Sequence, residues 1–442
     1  MDQGYWCEQL ERPSEGFFKA FAARLQAPDG ALGAAREAVL KLVPAVDWPA
    51  YLPHIPHGLL GLQAVFRLRP LLATASFQRI LATQLHGFAL EVRSTGHGLA
   101  GAGTGSGHWG NLEMAVRGHR PAIAWGEALA MAAPAAADFR RLEDWSEADM
   151  ANVGHKAVMA QWLAKLAGEL DEVACTRQLL ALSAYLGAAE PFDTFWHDRA
   201  LSRLGAAAPV PTRPATVDPE QLQDGVREIC DSGLVDLLDR FTVRVRAAAG
   251  SGDLLAMLVL AAAEKQLDAR RDLEGRTAWN FVFLASLARR AELQGASRPE
   301  SWVQAAALVN LFPTGEDEDR ARPASPRQPV ADPGAGLLDA ILDGEPAQAM
   351  HFAKELRSCS GADAVLRVLA EAASNNDPTF NHSHQILAVA AAADLLPHLV
   401  EPVQEALLLA MAKFLGNAQG SSDLGRLASA ALSQPSPLQE AP

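Results

Sequence analysis

Three histidines, His57, His155 and His384, each open a stretch in which the positions three, four, seven and eleven residues on are apolar or small. After His57 these are Leu60, Gly61, Ala64 and Leu68; after His155, Val158, Met159, Trp162 and Leu166; after His384, Leu387, Ala388, Ala391 and Leu395. That spacing makes one face of a helix apolar and sets the imidazole on the same face, near the N-terminal end. A neutral imidazole nitrogen is a ligand for iron or zinc. Three such helices facing one another could therefore hold one ion. A single core-facing histidine is ordinarily a hydrogen-bonded packing residue. The argument for a shared site rests on threefold recurrence in a chain with only 12 histidines. No HExxH and no paired CxxC accompanies them, so the signal is one of distant convergence and not of a compact metal motif.

Two other segments carry residues capable of chemistry. His351 and Lys354 lie three apart, adjacent on a helix surface, but Ala349, Phe352, Ala353 and Leu356 form the apolar stripe and leave this pair toward the solvated flank. The run Thr95 to Gly110, TGHGLAGAGTGSGHWG, has nested glycines. A phosphate-cradling loop needs a strand before it, and none precedes this run. The expectation is a flexible loop or lid carrying His97 and His108, with Trp109 at its end.

These residues must be positioned by helices. Periods near 3.6 dominate over Phe17–Leu25, Leu32–Leu42, His57–Leu68, Phe77–Val92, Ile123–Ala132, His155–Leu166, Thr176–Leu186, Val226–Leu238, Leu254–Leu267, Ala278–Ala291, Trp302–Leu311, Gly336–Leu342, Ala347–Leu356, Ala362–Ala373, His384–Leu396 and Pro402–Leu415. Only Phe241 to Val245 alternates like a strand. The expected fold is all-α, a large multi-helical domain with helical repeats in two halves meeting at a buried site. The N-terminal half covers 1–206 and the C-terminal half 220–312 and 336–433. Between the halves, Ala206 to Pro219 is proline-rich and reads as extended; within the C-terminal half 313–335 reads as a mobile Pro-rich and acidic loop, and after it 434–442 reads as a disordered tail. A faint internal repeat joins Pro56-His57-Gly58-Leu59, Gly154-His155-Lys156-Ala157 and Ser383-His384-Gln385-Ile386, with Ala278–Ala291 as a fourth copy that lacks histidine and offers Asn280 as its nearest polar residue.

The 442 residues are 49% hydrophobic, enough for a large core, and the net charge of −14 argues against nucleic acid or an anionic membrane surface as the main partner. Cys7, Cys175, Cys230 and Cys359 have neither disulfide-framework nor zinc spacing. No secretory leader and no apolar run of spanning length is read. A cytoplasmic protein is the expectation, its oligomeric state left open.

The H-x-x-K of His351 and Lys354, the helix-opening Gly-His pairs and the proline-framed His57 resemble the questin oxidase-like family, non-haem iron oxygenases of aromatic polyketide metabolism with bacterial homologues. The resemblance covers most of the chain as a pattern of helices with histidines near their starts. It implies His57, His155, His351 and His384 as iron ligands and Lys354 as a carboxylated lysine ligand, with His54 and His382 as alternates to His57 and His384. A lysine excluded from water loses its proton more easily and can add carbon dioxide, giving an anionic oxygen ligand suited to a hard iron ion.

The function expected is that of a mononuclear iron oxygenase acting on an aromatic or quinone-like secondary metabolite with dioxygen. Substrate would stack on Trp162, Trp109 or Trp279, and no nucleotide cofactor is expected. Electrons would come from substrate or an external donor. Two other readings stand beside it: a non-catalytic helical scaffold or partner-binding protein, and a zinc-dependent hydrolase or lyase.

Overall fold

The computed structural model describes residues 15–45, 57–95, 104–191, 193–216, 218–269, 274–312, 332–375, 383–418 and 423–432. Among them are twenty-one α-helices and a single two-residue ladder, so the chain is all-α. In chain order the helices are α1 (Glu15–Leu25), α2 (Gly30–Leu42), α3 (His57–Leu68), α4 (Thr74–Thr95), α5 (Trp109–Arg117), α6 (Pro121–Leu129), α7 (Ala136–Ser146), α8 (Ala151–Leu170), α9 (Val173–Gly187) and α10 (Phe195–Leu204). The second half continues with α11 (Pro219–Asp231), α12 (Leu234–Ala247), α13 (Ser251–Asp268), α14 (Glu274–Gln294), α15 (Pro299–Leu311), α16 (Pro333–Leu342), α17 (Pro346–Ser360), α18 (Ala362–Ser374), α19 (His384–Leu395), α20 (Glu401–Asn417) and α21 (Asp423–Leu432).

Four of these helices form the centre. α3 packs on α8 and α19, and α14 packs on the same two, closing a ring of four. The four run parallel, as contacts at their two ends show. At one end His57, His155 and His384 come together with Trp279 of α14. At the other, Arg67 of α3 and Lys165 of α8 both bond the Asp394 carboxylate of α19. A cavity of about 480 Å³ at that end is lined by residues of all four helices, among them Arg67, Lys165, Ala285 and Asp394. Midway, the Trp162 indole donates to Ser286 Oγ at 3.0 Å. These helices are the four segments of the internal repeat, so each copy returns the chain to the same end of the bundle before the next begins.

Residue size explains the close packing. In α19, HQILAVAAAADL, ten of twelve residues are buried, and five of those are alanines that let neighbouring backbones approach. α14 is buried around most of its circumference, as a central helix must be, and so is α13, which packs on it. Outer helices cover the ring: α4 lies against α3, α7 and α9 against α8, α13 and α15 against α14, and α18 and α20 against α19.

Several expectations meet the structure differently. Val226–Leu238 is two helices, because the chain is extended at Ser232 and Gly233. Phe241–Val245 is helical within α12: Phe241, Thr242 and Val245 are buried along one stripe, so its β-branched residues extend the helix. The proline-rich connection is extended, and its Val210 and Pro211 pair antiparallel with Ser297 and Ala296. Trp109, at the end of the glycine run, starts helix α5. Most of the 313–335 loop, all of the 434–442 tail, and His54, His97, His382 and Cys7 lie outside the described residues.

Candidate histidine site

His57, His155 and His384 meet at the N-terminal ends of α3, α8 and α19. The Nε2 atoms of His57 and His155 are 3.2 Å apart, and the His384 ring stands edge-on to His57 with centroids 4.9 Å apart. Trp279 lies flat on His155, 3.7 Å between centroids and 4° between planes, and is 6.0 Å from His57 and 6.4 Å from His384. Its indole N–H donates to the Val153 carbonyl at 2.9 Å, which fixes the plane on which His155 rests. The fourth repeat thus contributes Trp279 where the others contribute histidine. Asn280, its neighbour, is fully buried, and neither of its side-chain polar atoms has a hydrogen-bond partner among the described residues.

The backbone leading into two of the histidines is unusual. Val153 and Gly154 precede His155 with φ of 53° and 77°, and Ser383 precedes His384 with φ of 63°. A left-handed non-glycine residue costs about 1–2 kcal/mol and persists only where its surroundings hold it. At Gly154 a side chain would also collide, since a Cβ there would lie 2.5 Å from the Phe283 ring. Two of the four left-handed non-glycine residues among the described residues thus stand where the chain turns a histidine into the site.

The N-terminal ends of parallel helices meet here, and each carries a partial positive charge. Glu91 of α4 stands against this end. Its carboxylate accepts from the backbone N–H of His57 at 3.2 Å and of Gly58 at 2.9 Å. Burial pushes the Glu91 carboxyl up to about 8, although those two backbone donors pull it down. Sequence reading missed Glu91, because a cap donated by another helix leaves no local motif. One clue was readable: Gly58 follows His57, where any side chain would meet Phe88 and Glu91 at 2.7 Å.

Two nitrogens 3.2 Å apart can share a hydrogen bond. The same separation is that of two nitrogens each bound about 2.1 Å from one metal ion. Among the described residues, no three His, Cys, Asp or Glu side chains already have their donor atoms gathered for an ion. His57 and His155 do, and the His384 ring stands beside them. A set of imidazole nitrogen donors with a flat aromatic wall fits iron or zinc by donor chemistry.

His351 and Lys354 are not brought to this site. Both lie on α17, where His351 meets Glu355 at 3.6 Å and Phe352, and Lys354 meets Glu405 at 3.8 Å. The Lys354 side chain is 61% exposed. Carbamate formation asks for a lysine withdrawn from water, and this one is solvated, as the apolar stripe of its helix dictates. Of the tryptophans expected to stack substrate, Trp162 is sealed in the core, and Trp109 packs on Trp145 beneath Arg141. Only Trp279 faces the histidines.

Compared with family models, curated proteins and solved structures, the chain matches none. An all-α protein with a parallel ring of helices and a convergent histidine site is what fold and site define. No helix among the described residues is long and apolar enough to cross a membrane.

Proposed function

We propose that this chain is a cytoplasmic mononuclear non-haem iron oxygenase that oxidises an aromatic or quinone-like secondary metabolite, as its resemblance to questin oxidase-like proteins implies. The observation that carries the reading is the convergence of His57, His155 and His384, from remote segments of the chain, with two Nε2 atoms 3.2 Å from each other. Those three imidazoles would hold the iron, and bound iron would supply the activation of dioxygen. His351 and Lys354 are left out of the proposed ligand set, because they pair with Glu355 and Glu405 on α17.

The chain's own residues supply orientation and exclusion of water. Trp279 holds the His155 ring by stacking and offers the aromatic edge nearest to an aromatic ligand at the site. His155 and Trp279 are buried, whereas His57 and His384 are half-buried and form the more open side. Substrate would enter past those two.

The test uses tag-free protein stripped of metal and reloaded under argon with ferrous iron or with zinc, then given oxygen and a panel of hydroxylated aromatics and quinones. Oxygen uptake should appear with iron and at least one panel member, and should be lost in His155→Ala. Conversion of a panel member by the zinc-loaded protein without oxygen uptake, followed by chromatography, would replace this reading with hydrolysis or elimination. No uptake with any member would remove the oxygenase.

A further inference from the structure

Helix α4 contributes no histidine to this site, yet it bonds the backbone of His57 and the side chain of Ser383, the residue before His384. Glu91 accepts from the first two N–H groups of α3, those of His57 and Gly58. Seven residues earlier, and so on the same face of α4, Gln84 does two things. Its Nε2 donates to the Gly58 carbonyl at 3.1 Å, and its Oε1 accepts from Ser383 Oγ at 3.0 Å. Ser383 is the left-handed residue directly before His384.

Glycines let α4 come this close. A Cβ on Gly58 would be 2.7 Å from Phe88 Cα, and one on Gly61 would be 2.5 Å from the Gln84 amide. Gln84 is fully buried, so its two hydrogen bonds are made away from water, where leaving either group unmade costs about 1–3 kcal/mol.

We infer that Glu91 and Gln84 are the positioning residues of the histidine site, α4 acting as a rack that fixes where His57 and His384 stand relative to His155. The inference rests on the proposed metal-binding role of those histidines but predicts a positional effect that is measurable without metal. The logic is that of outer residues around known metal sites, which orient ligands without touching the ion. Here the orientation is imposed on the helix starts: Glu91 caps the helix that begins at His57, and Gln84 ties the Gly58 carbonyl of that helix to the Ser383 hydroxyl in the turn that begins α19.

The experiment compares the unmodified chain with Glu91→Ala, Glu91→Gln, Gln84→Ala and Ser286→Ala. The last removes the Trp162 hydrogen bond in the middle of the ring and controls for general loosening. Two readouts are taken on each protein. The first is the rate of carbethoxylation at His57, His155 and His384 in metal-free protein, mapped by peptide mass spectrometry with His351 as internal reference. The second is affinity for cobalt(II), followed by its visible absorption. Glu91→Ala and Gln84→Ala should change the His57 and His384 rates several-fold and weaken cobalt binding about 10–100-fold. Glu91→Gln, which keeps one acceptor oxygen for two backbone donors, should fall between Glu91→Ala and the unmodified chain in both, and Ser286→Ala should move neither. Unchanged modification rates in Glu91→Ala and Gln84→Ala overturn the positioning role, whatever cobalt does. Changed rates in a chain that binds no cobalt even unmodified keep the positioning role and remove the metal.

Discussion

Asn280 shows what a single residue discloses about this site. It neighbours Trp279 in the repeat that lacks histidine, is fully buried, and leaves its amide oxygen and nitrogen without hydrogen-bond partners among the described residues. An unmet buried amide costs about 1–3 kcal/mol, a cost that an apolar side chain of similar size does not incur. Asn280→Leu should therefore raise the thermal midpoint, by an amount equivalent to about 1 kcal/mol, in differential scanning calorimetry. A fall would mean that the amide is satisfied in solution. Residue types alone pointed to Asn280 as the polar group of the fourth copy, and it is Trp279 that reaches the histidines. A one-residue difference is a 100° rotation on a helix, and no period read over eleven residues fixes a helix's rotation that finely.

At the scale of elements, the parallel ring is held at both ends by different chemistry. The histidine end is capped by Glu91 and Gln84, and the opposite end by one carboxylate, Asp394, which receives Arg67 and Lys165 from two other helices. Those two cations hold the Asp394 carboxyl below the usual carboxylate range against the effect of its burial. Its folded-state pKa is thus depressed, so the stabilisation it gives is present above the unfolded value near 3.8 and is lost as pH falls through the folded value. Asp394→Asn should cost about 2 kcal/mol at pH 7 in urea unfolding, with the difference from the unmodified chain shrinking toward pH 2. An equal loss at both pH values would show that packing, and not charge, ties the helices there. The existence of these helices was legible because apolar period and buried face coincide in α3, α8 and α19. Helices α5, α7 and α10 were not read, because each buries only three or four residues and the rest of its sequence is charged, polar or exposed. The break at Ser232 and Gly233 was hidden by apolar residues on either side that keep helical spacing.

For the whole molecule, the site is assembled across the chain: α3 and α8 come from the first half of the sequence, α14 and α19 from the second. The threefold histidine pattern made that convergence legible, while His351 and Lys354, grouped with it by resemblance, sit on a solvated face. Further ties between the halves include Arg290 of α14, buried beside Glu143, Asp144 and Glu147. Burial pushes the Glu143 carboxyl up to about 8 from its ordinary 4.5, with Arg290 opposing the shift. The native state therefore keeps a proton that the unfolded chain releases, and the associated stability, complete below pH 4.5, is lost as pH rises through about 8. Denaturation midpoints should fall between pH 5 and 8, and Glu143→Gln should flatten that slope; an unchanged slope would place the proton elsewhere. The central claim, that one ion is held by His57, His155 and His384, is tested most directly by anaerobic titration of tag-free, metal-free protein with ferrous iron across single alanine variants. One equivalent should bind tightly to the unmodified chain and to His351→Ala and Lys354→Ala, and tight binding should disappear in each of His57→Ala, His155→Ala and His384→Ala. Tight binding that survives loss of any of those three histidines, or that requires Lys354, would contradict it.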